Sequence, residues 1–289
     1  MTTKATERPA ALALAKLLGR ISAEVTTRDE DSLKFAEKSL PKGIEVFVAS
    51  LPKDPHDRLI ATTVRVRKAG LEPVPHIVAR NIASQAELDS LLAHLAGEAG
   101  VRRALILGGD RDKSLGEYDS SLQLIQTGLF AKHGLTHAFI AAYPESHPRI
   151  DESTLESARS AKIQTLRDQG VSTTLISQFG FEPKPIISLV EKLRARGVTQ
   201  PFRAGVAGPT EYAKLVKYAL ICGVGPSLRA LKERQGLAKN MLAGETPEKL
   251  LTDVALAQDA NPALNIEGVH FFTFGALAAS YSWIQQHAG

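Results

Sequence analysis

Apolar residues recur along this chain in two alternating rhythms. Short, nearly continuous runs such as Glu45-Val46-Phe47-Val48-Ala49-Ser50, Ala104-Leu105-Ile106-Leu107 and His137-Ala138-Phe139-Ile140 predict strands buried on both faces. Between them, apolar positions three and four apart predict amphipathic helices, as in Leu88, Leu91, Leu92 and Leu95, or Ile186, Leu189, Val190 and Leu193. In order, the predicted strands are 21–25, 45–50, 73–78, 104–107, 137–140, 173–179, 202–208 and 269–274. Helices are expected over 31–40, 54–68, 84–100, 118–132 and 151–168, through Ile186 to Gly197, and over 276–286. Two or three more fill 210–260. Ser84-Gln85-Ala86-Glu87 reads as a capping box, and Gly70 as a left-handed helix cap. Gly100, Gly134, Gly170 and Gly197 close other helices in the same way.

Eight strand–helix units in 289 residues is the count for a closed (β/α)8 TIM barrel, an α/β fold. The expected organisation is a leader and short helix over 1–20, then one barrel domain over 21–289 with extra helices before the eighth strand. An open doubly wound sheet is the rival. It usually has fewer strands and a glycine-rich first turn, whereas Gly108-Gly109-Asp110 is no GxGxxG motif and no Walker-type loop occurs.

Composition adds little to that picture. With 44% hydrophobic and 23% charged residues the chain can bury a full core without staples. A net charge of +4 and the lack of a basic block argue against nucleic acid as a partner. The single cysteine, Cys222, excludes an internal disulfide and a cysteine-rich metal site. The apolar piece Ala10 to Leu18 is interrupted by Lys16, is too short for a membrane span and lacks a cleavage site. The expectation is a soluble cytoplasmic protein.

Polar residues matter more, because they fall where the predicted strands end. Glu24 lies in the first strand, His76 in the third, and Asp110 just past the fourth. The stiff turn Ala142-Tyr143-Pro144-Glu145-Ser146-His147-Pro148 follows the fifth, and Gln178 closes the sixth. Taken singly, each has a structural explanation as a cap, a core histidine or a turn residue. In a parallel barrel, however, all carboxyl ends meet at the rim where active sites are built. HExxH, His-x-His and GxSxG motifs are absent, so neither a metal site nor a serine nucleophile is expected. Two carboxylates with histidine, tyrosine and an amide suit edge-on binding of a heteroaromatic ring and proton transfer.

Ser22-Ala23-Glu24-Val25, Pro75-His76, Leu107-Gly108-Gly109-Asp110, the Tyr143–Pro148 turn, Ser177-Gln178-Phe179 and His270-Phe271-Phe272-Thr273 occur in the order and spacing of methylenetetrahydrofolate reductases. The chain resembles that family over nearly its whole length. The resemblance implies a flavin-containing barrel that interconverts 5,10-methylene- and 5-methyltetrahydrofolate, with tetrahydrofolate derivatives as partners and a homo-oligomer left open. By resemblance, Glu24 is the general acid that opens the methylene bridge, a role that calls for a raised pKa. Asp110 would stabilise the iminium between flavin and folate. Gln178, with Phe179 beside it, would meet the substrate. Ala49, His76, Gly108, Gly109, Asp110, Tyr143, Glu145, His147, Lys162 and Gln164 match positions around the FAD.

The departures fall on the cofactor side. The family's Arg-Gly-Asp reads Gly108-Gly109-Asp110, its Thr-Tyr-Gly reads Ala49-Ser50-Leu51, and its His-Leu-Thr reads His76-Ile77-Val78. Asn-Arg after the eighth strand becomes Gly275-Ala276, and Phe-Phe-Pro-Pro after the acid becomes Val25-Thr26-Thr27-Arg28. A lysine of the family aligns with Gln164, with Lys162 half a turn away. These losses imply weakly held FAD and poor use of NAD(P)H. Two alternatives stay open: an enzyme working mainly in the oxidising direction on 5-methyltetrahydrofolate, and a non-catalytic folate-binding barrel.

Overall fold

A computed structural model describes residues 3–51, 53–224 and 246–288. Eight parallel strands close into a barrel in sequence order: β1 (Ile21–Thr26), β2 (Glu45–Ala49), β3 (Glu72–Val78), β4 (Arg103–Leu107), β5 (His137–Ala142), β6 (Ser172–Ser177), β7 (Phe202–Ala207) and β8 (Ile266–Phe272). The helices are α1 (Thr3–Leu18), α2 (Glu30–Ser39), α3 (His56–Lys68), α4 (Gln85–Ala99), α5 (Ser121–Gln126), α6 (Leu129–Lys132), α7 (Glu152–Asp168), α8 (Pro183–Ala195) and α9 (Tyr212–Ile221). Further along the chain come α10 (Glu248–Ala260) and α11 (Leu277–His287). The predicted TIM barrel is therefore the observed fold. The helices expected over 210–260 are seen as α9 and α10, and the stretch 225–245 lies outside the described residues.

Packing groups the chain into two compact units. One comprises Glu24–Ala141 and Glu152–Leu175, and the other Met1–Ala23, Ala142–Asp151 and Ile176–Gly289. In the first unit, β3 pairs in parallel with β2 and β4 despite carrying Pro73 and Pro75. The two prolines are two residues apart, so their missing N–H groups fall on one edge of the strand and the other ladder stays whole. Phe47, Val74, Ile77, Phe139 and Leu124 are fully buried in this unit. Ion pairs close the amino ends of its strands, Arg103 on Glu45 at 2.7 Å and Arg67 bidentate on Glu72 at 2.7 and 2.8 Å.

In the second unit, β7 and β8 pair along their length, and β8 also pairs with the start of β1. Arg203 in β7 has no exposed surface; its Nε donates to Glu267 Oε1 at 2.9 Å, while Arg20 pairs with Glu267 Oε2 at 2.8 Å. The amino-terminal helix is longer than the expected short one, and Lys16 near its end reaches Asp259 of α10 at 2.9 Å.

Two further expectations are corrected. The single helix predicted over 118–132 is α5 and α6, because Gly128 takes φ 72° between them and breaks the ladder. Tyr118 precedes both and is buried. The capping box at α4 is half formed: Ser84 Oγ accepts from Glu87 N–H at 3.2 Å, but the Glu87 carboxylate reaches back to Ala83 N–H instead of Ser84.

Candidate functional site

In the first unit the polar centre is a pair on β1 and β3. Glu24 occupies the fourth position of β1, with its side chain 20% exposed, and its Oε2 lies 3.5 Å from His76 Nε2. His76 is 7% exposed and stands edge-on to Phe47, with ring centroids 6.2 Å apart and planes at 78°. Phe47 packs in turn on Phe139 at 5.0 Å. The alternation of strand side chains thus puts an acid and an imidazole on an aromatic floor.

The loops after β1 and β2 are tied together close by. Ala49 is buried, and its carbonyl accepts from Thr27 N–H at 3.3 Å. Asp54, whose side chain is fully buried, accepts from the Thr27 hydroxyl and from Arg28 Nε at 2.8 Å. Burial opposes its ionisation, but the bonds from Thr27 and Arg28 and the charges of Arg28 and Arg58 outweigh it. The carboxyl is held below its ordinary range.

At the end of β4 the chain turns through Gly108 and Gly109. Gly108 C=O accepts from Arg80 N–H at 3.0 Å. Gly109 takes φ 102°, and a Cβ there would lie 2.4 Å from Val78 Cγ1, so the position needs glycine twice over. Arg80 holds the loop further on through the carbonyls of Arg111 and Asp119, at 2.6 and 3.1 Å. Arg111 Nε donates to Asn81 at 2.6 Å. Asp110 is exposed on this braced loop.

On α7, Lys162 and Arg159 lie three residues apart on one face and are both partly buried. Burial, and then the charge of Arg159, lower the Lys162 ammonium to about 8. Burial also lowers Arg159, partly offset by Glu152. Neither makes a side-chain hydrogen bond or ion pair among the described residues. Gln164 instead sits on the exposed face, where its amide donates to Asp168 at 2.7 Å one turn along. Sequence reasoning missed Arg159, although its spacing from Lys162 was a readable signal.

The remaining candidates belong to the second unit. The Tyr143 and His147 rings meet edge-on, 4.8 Å apart at 89°, across the proline-flanked turn, and Glu145 is half-buried there. Arg149 N–H donates to His147 Nδ1 at 3.1 Å, so that nitrogen is the acceptor. Gln178 Oε1 accepts from Phe179 N–H at 3.0 Å, and the two N–H donors of the amide have no hydrogen-bond partner among the described residues. Phe179 is 1% exposed, packed against Phe181, Phe272 and Phe274 at 5.2–5.8 Å. It supports a wall and presents no open face. Phe274, also missed, has φ 49° two residues past β8 and stacks on Tyr218 at 4.5 Å. Positive φ at an aromatic residue is costly and marks a position the surroundings over-determine.

Among the described residues no group of His, Cys, Asp or Glu is placed to hold a metal ion, and no helix is long and apolar enough to cross a membrane.

The closed parallel barrel places the chain among the TIM-barrel proteins. Similar solved structures include a 2,3-dimethylmalate lyase of the PEP mutase/isocitrate lyase superfamily, at 10% identity over 96% of this chain and 84% of that one, with TM-score 0.50. Dihydropteroate synthase from Thermus thermophilus is 15% identical over 91% of this chain and 92% of that one, with TM-score 0.49. These likenesses are of fold alone. The methylenetetrahydrofolate reductase family profile matches residues 31–283, and the chain belongs to that family as an oxidoreductase of its kind.

Proposed function

We propose that this protein interconverts 5,10-methylene- and 5-methyltetrahydrofolate with a bound flavin. The observation that carries the reading is the Glu24–His76 pair: a half-buried acid on the first strand, 3.5 Å from a buried imidazole. In the reducing direction Glu24 donates its proton to the folate nitrogen that leaves the methylene carbon, and the ring opens to an iminium. In the oxidising direction the same carboxylate takes the proton back. Asp110, on the braced loop after β4, lends negative charge to that cation. The amide N–H donors of Gln178 meet an acceptor edge of the pterin.

The residues present fit a flavin dinucleotide. Arg159 and Lys162 offer two desolvated cations for its diphosphate, and Gly108 and Gly109 at the end of β4 are further proposed contacts. His76, Tyr143, Glu145, His147 and Ala49 are further proposed contacts, while the exposed Gln164 is left out of the set. When bound, the flavin supplies the hydride exchange with the folate carbon.

The test is the absorbance spectrum of the purified protein incubated with FAD, followed by addition of 5-methyltetrahydrofolate and, separately, NADH. Bleaching by the methyl folate supports the reading. Folate binding with no bleaching in either case would leave the non-catalytic barrel as the answer. Bleaching by the methyl folate with no response to NADH would favour the oxidising direction.

A further inference from the structure

We propose that Arg80 is a positioning residue for Asp110: its backbone and its guanidinium clamp the loop after β4 on both sides of that aspartate and fix where the carboxylate stands. The inference rests on the reading of Asp110 as the negative charge that steadies the iminium. From Gly108 to Ser120 the chain forms neither helix nor strand. A loop of that length keeps one conformation only where other segments hold it, because each ordered residue costs backbone entropy.

Arg80, just past the end of β3, makes four hydrogen bonds to this loop. Its N–H donates to Gly108 C=O at 3.0 Å, and its C=O accepts from Leu115 N–H at 3.1 Å. Its Nη1 donates to Arg111 C=O at 2.6 Å and its Nε to Asp119 C=O at 3.1 Å. Asp110 thus lies between a tie two residues before it and another on the next residue. Close packing supports the same clamp. A Cβ on Gly109 would run into Val78, and one on Gly116 would run into the Ala83 carbonyl, so both limbs of the loop lie against residues 78–83.

The side chain has to be arginine for this task. Its planar fork carries donors that diverge in fixed directions, so one group reaches the carbonyls of Arg111 and Asp119 together. A lysine ammonium has the same charge on a compact, flexible tip and cannot span both. The clamp also acts through carbonyls. Among the described residues no ion pair joins Arg80 to Asp110, and Asp110 stays exposed. A direct pair would have spent the charge that the cation needs. A carboxylate fixed before the reaction adds no ordering cost to the barrier, whereas one on a loose loop must be ordered in the transition state.

The experiment measures bleaching of bound flavin by 5-methyltetrahydrofolate in single turnovers of the FAD-loaded protein. It compares wild type, Arg80→Met, Arg80→Lys, Asp110→Asn and the double variant Arg80→Met with Asp110→Asn. Arg80→Met should slow bleaching at saturating folate by roughly 10- to 100-fold, with the half-saturating folate concentration changed by about threefold or less. Arg80→Lys should be nearly as slow; a wild-type rate there would show that charge and not the fork matters, and would overturn the inference. In the Asp110→Asn background, Arg80→Met should cost about twofold or less, since no charge is left to place. An equal cost in both backgrounds would make Arg80 merely structural. Hydrogen exchange gives a readout independent of turnover. The Leu115 amide should be protected in wild type, and in Arg80→Met the amides between Gly109 and Asp119 should exchange at least about 10-fold faster while those of β4 stay unchanged. An unprotected Leu115 amide in wild type, or unaltered loop exchange in Arg80→Met, would overturn the clamp. Asp110→Asn separates the two ideas: a wild-type rate in that variant sinks the reading of Asp110, while a slow Asp110→Asn beside equal Arg80→Met costs in both backgrounds sinks only the positioning role.

Discussion

Lys162 and Arg159 share one face of α7, three residues apart and desolvated, and among the described residues no carboxylate is hydrogen-bonded to either. Two such charges cost stability in the absence of a ligand and repay it when an anion binds. Lys162→Met should therefore raise the melting temperature of the ligand-free protein. The same change should weaken FAD by about 10-fold or more, the loss of one charge-assisted bond. Calorimetry and FAD titration together check this, and a variant both less stable and unchanged in FAD affinity would exclude the role.

The same lysine gives a pH dependence with a definite sign. Its folded pKa, about 8, is lower than the ordinary lysine value of 10.5. The unfolded chain binds more protons between those two values, so ligand-free stability should rise as pH increases through that window. Anion affinity should move the opposite way, declining as pH rises through about 8 and Lys162 loses its charge. Melting curves and FAD titrations in matched buffers would show two opposed trends that disappear in Lys162→Met.

The fold was legible because parallel strands buried on both faces print as near-continuous apolar runs, as β2, β4 and β5 do. Pro73 and Pro75 failed to hide β3 because they share one edge. The break between α5 and α6 was not legible, since Gly128 could equally be a tolerated helix glycine until its φ is known. Strand-end position located Glu24 and His76, but their contact depends on the register of β1 and β3 around the barrel, which periodicity does not encode. The burial of Phe179 by its neighbours Phe272 and Phe274 was likewise not legible, since it depends on which strand ends the barrel brings together.

Glu24→Gln keeps the size of the acid and removes its proton. Folate turnover should drop by roughly 100-fold or more, while reduction of bound flavin by NADH, where it occurs, should persist. Stopped-flow measurement of the two half-reactions separates them. Equal loss of both would mean that Glu24 serves the structure.

Asp54 ties the loops after β1 and β2 through Thr27 and Arg28, and its carboxyl is held below the ordinary aspartate range. A depressed folded pKa contributes stability that is present above the unfolded value and is lost as pH falls through the folded one. Asp54→Asn should flatten the acidic side of the stability curve and cost about 1–3 kcal/mol at neutral pH. Urea titrations at neutral and acidic pH provide the check, and equal destabilisation at both would remove the charge from the explanation.

Arg203 offers the sharpest test of packing. Its side chain is fully buried in β7, and Glu267 accepts from it while also pairing with the half-exposed Arg20. Glu267→Gln keeps the shape but removes the carboxylate charge that faces the buried Arg203, whereas Arg20 can turn to water. Breaking a buried pair from one side costs about 3–5 kcal/mol, and an exposed pair about 0–1 kcal/mol. Glu267→Gln should therefore lower the urea midpoint severely and Arg20→Gln hardly at all. Arg203→Met with Glu267→Gln should recover much of the loss, since the double change removes the buried cation together with its carboxylate. A double variant no more stable than Glu267→Gln alone would show that shape at β7 and β8, and not charge, carries the effect.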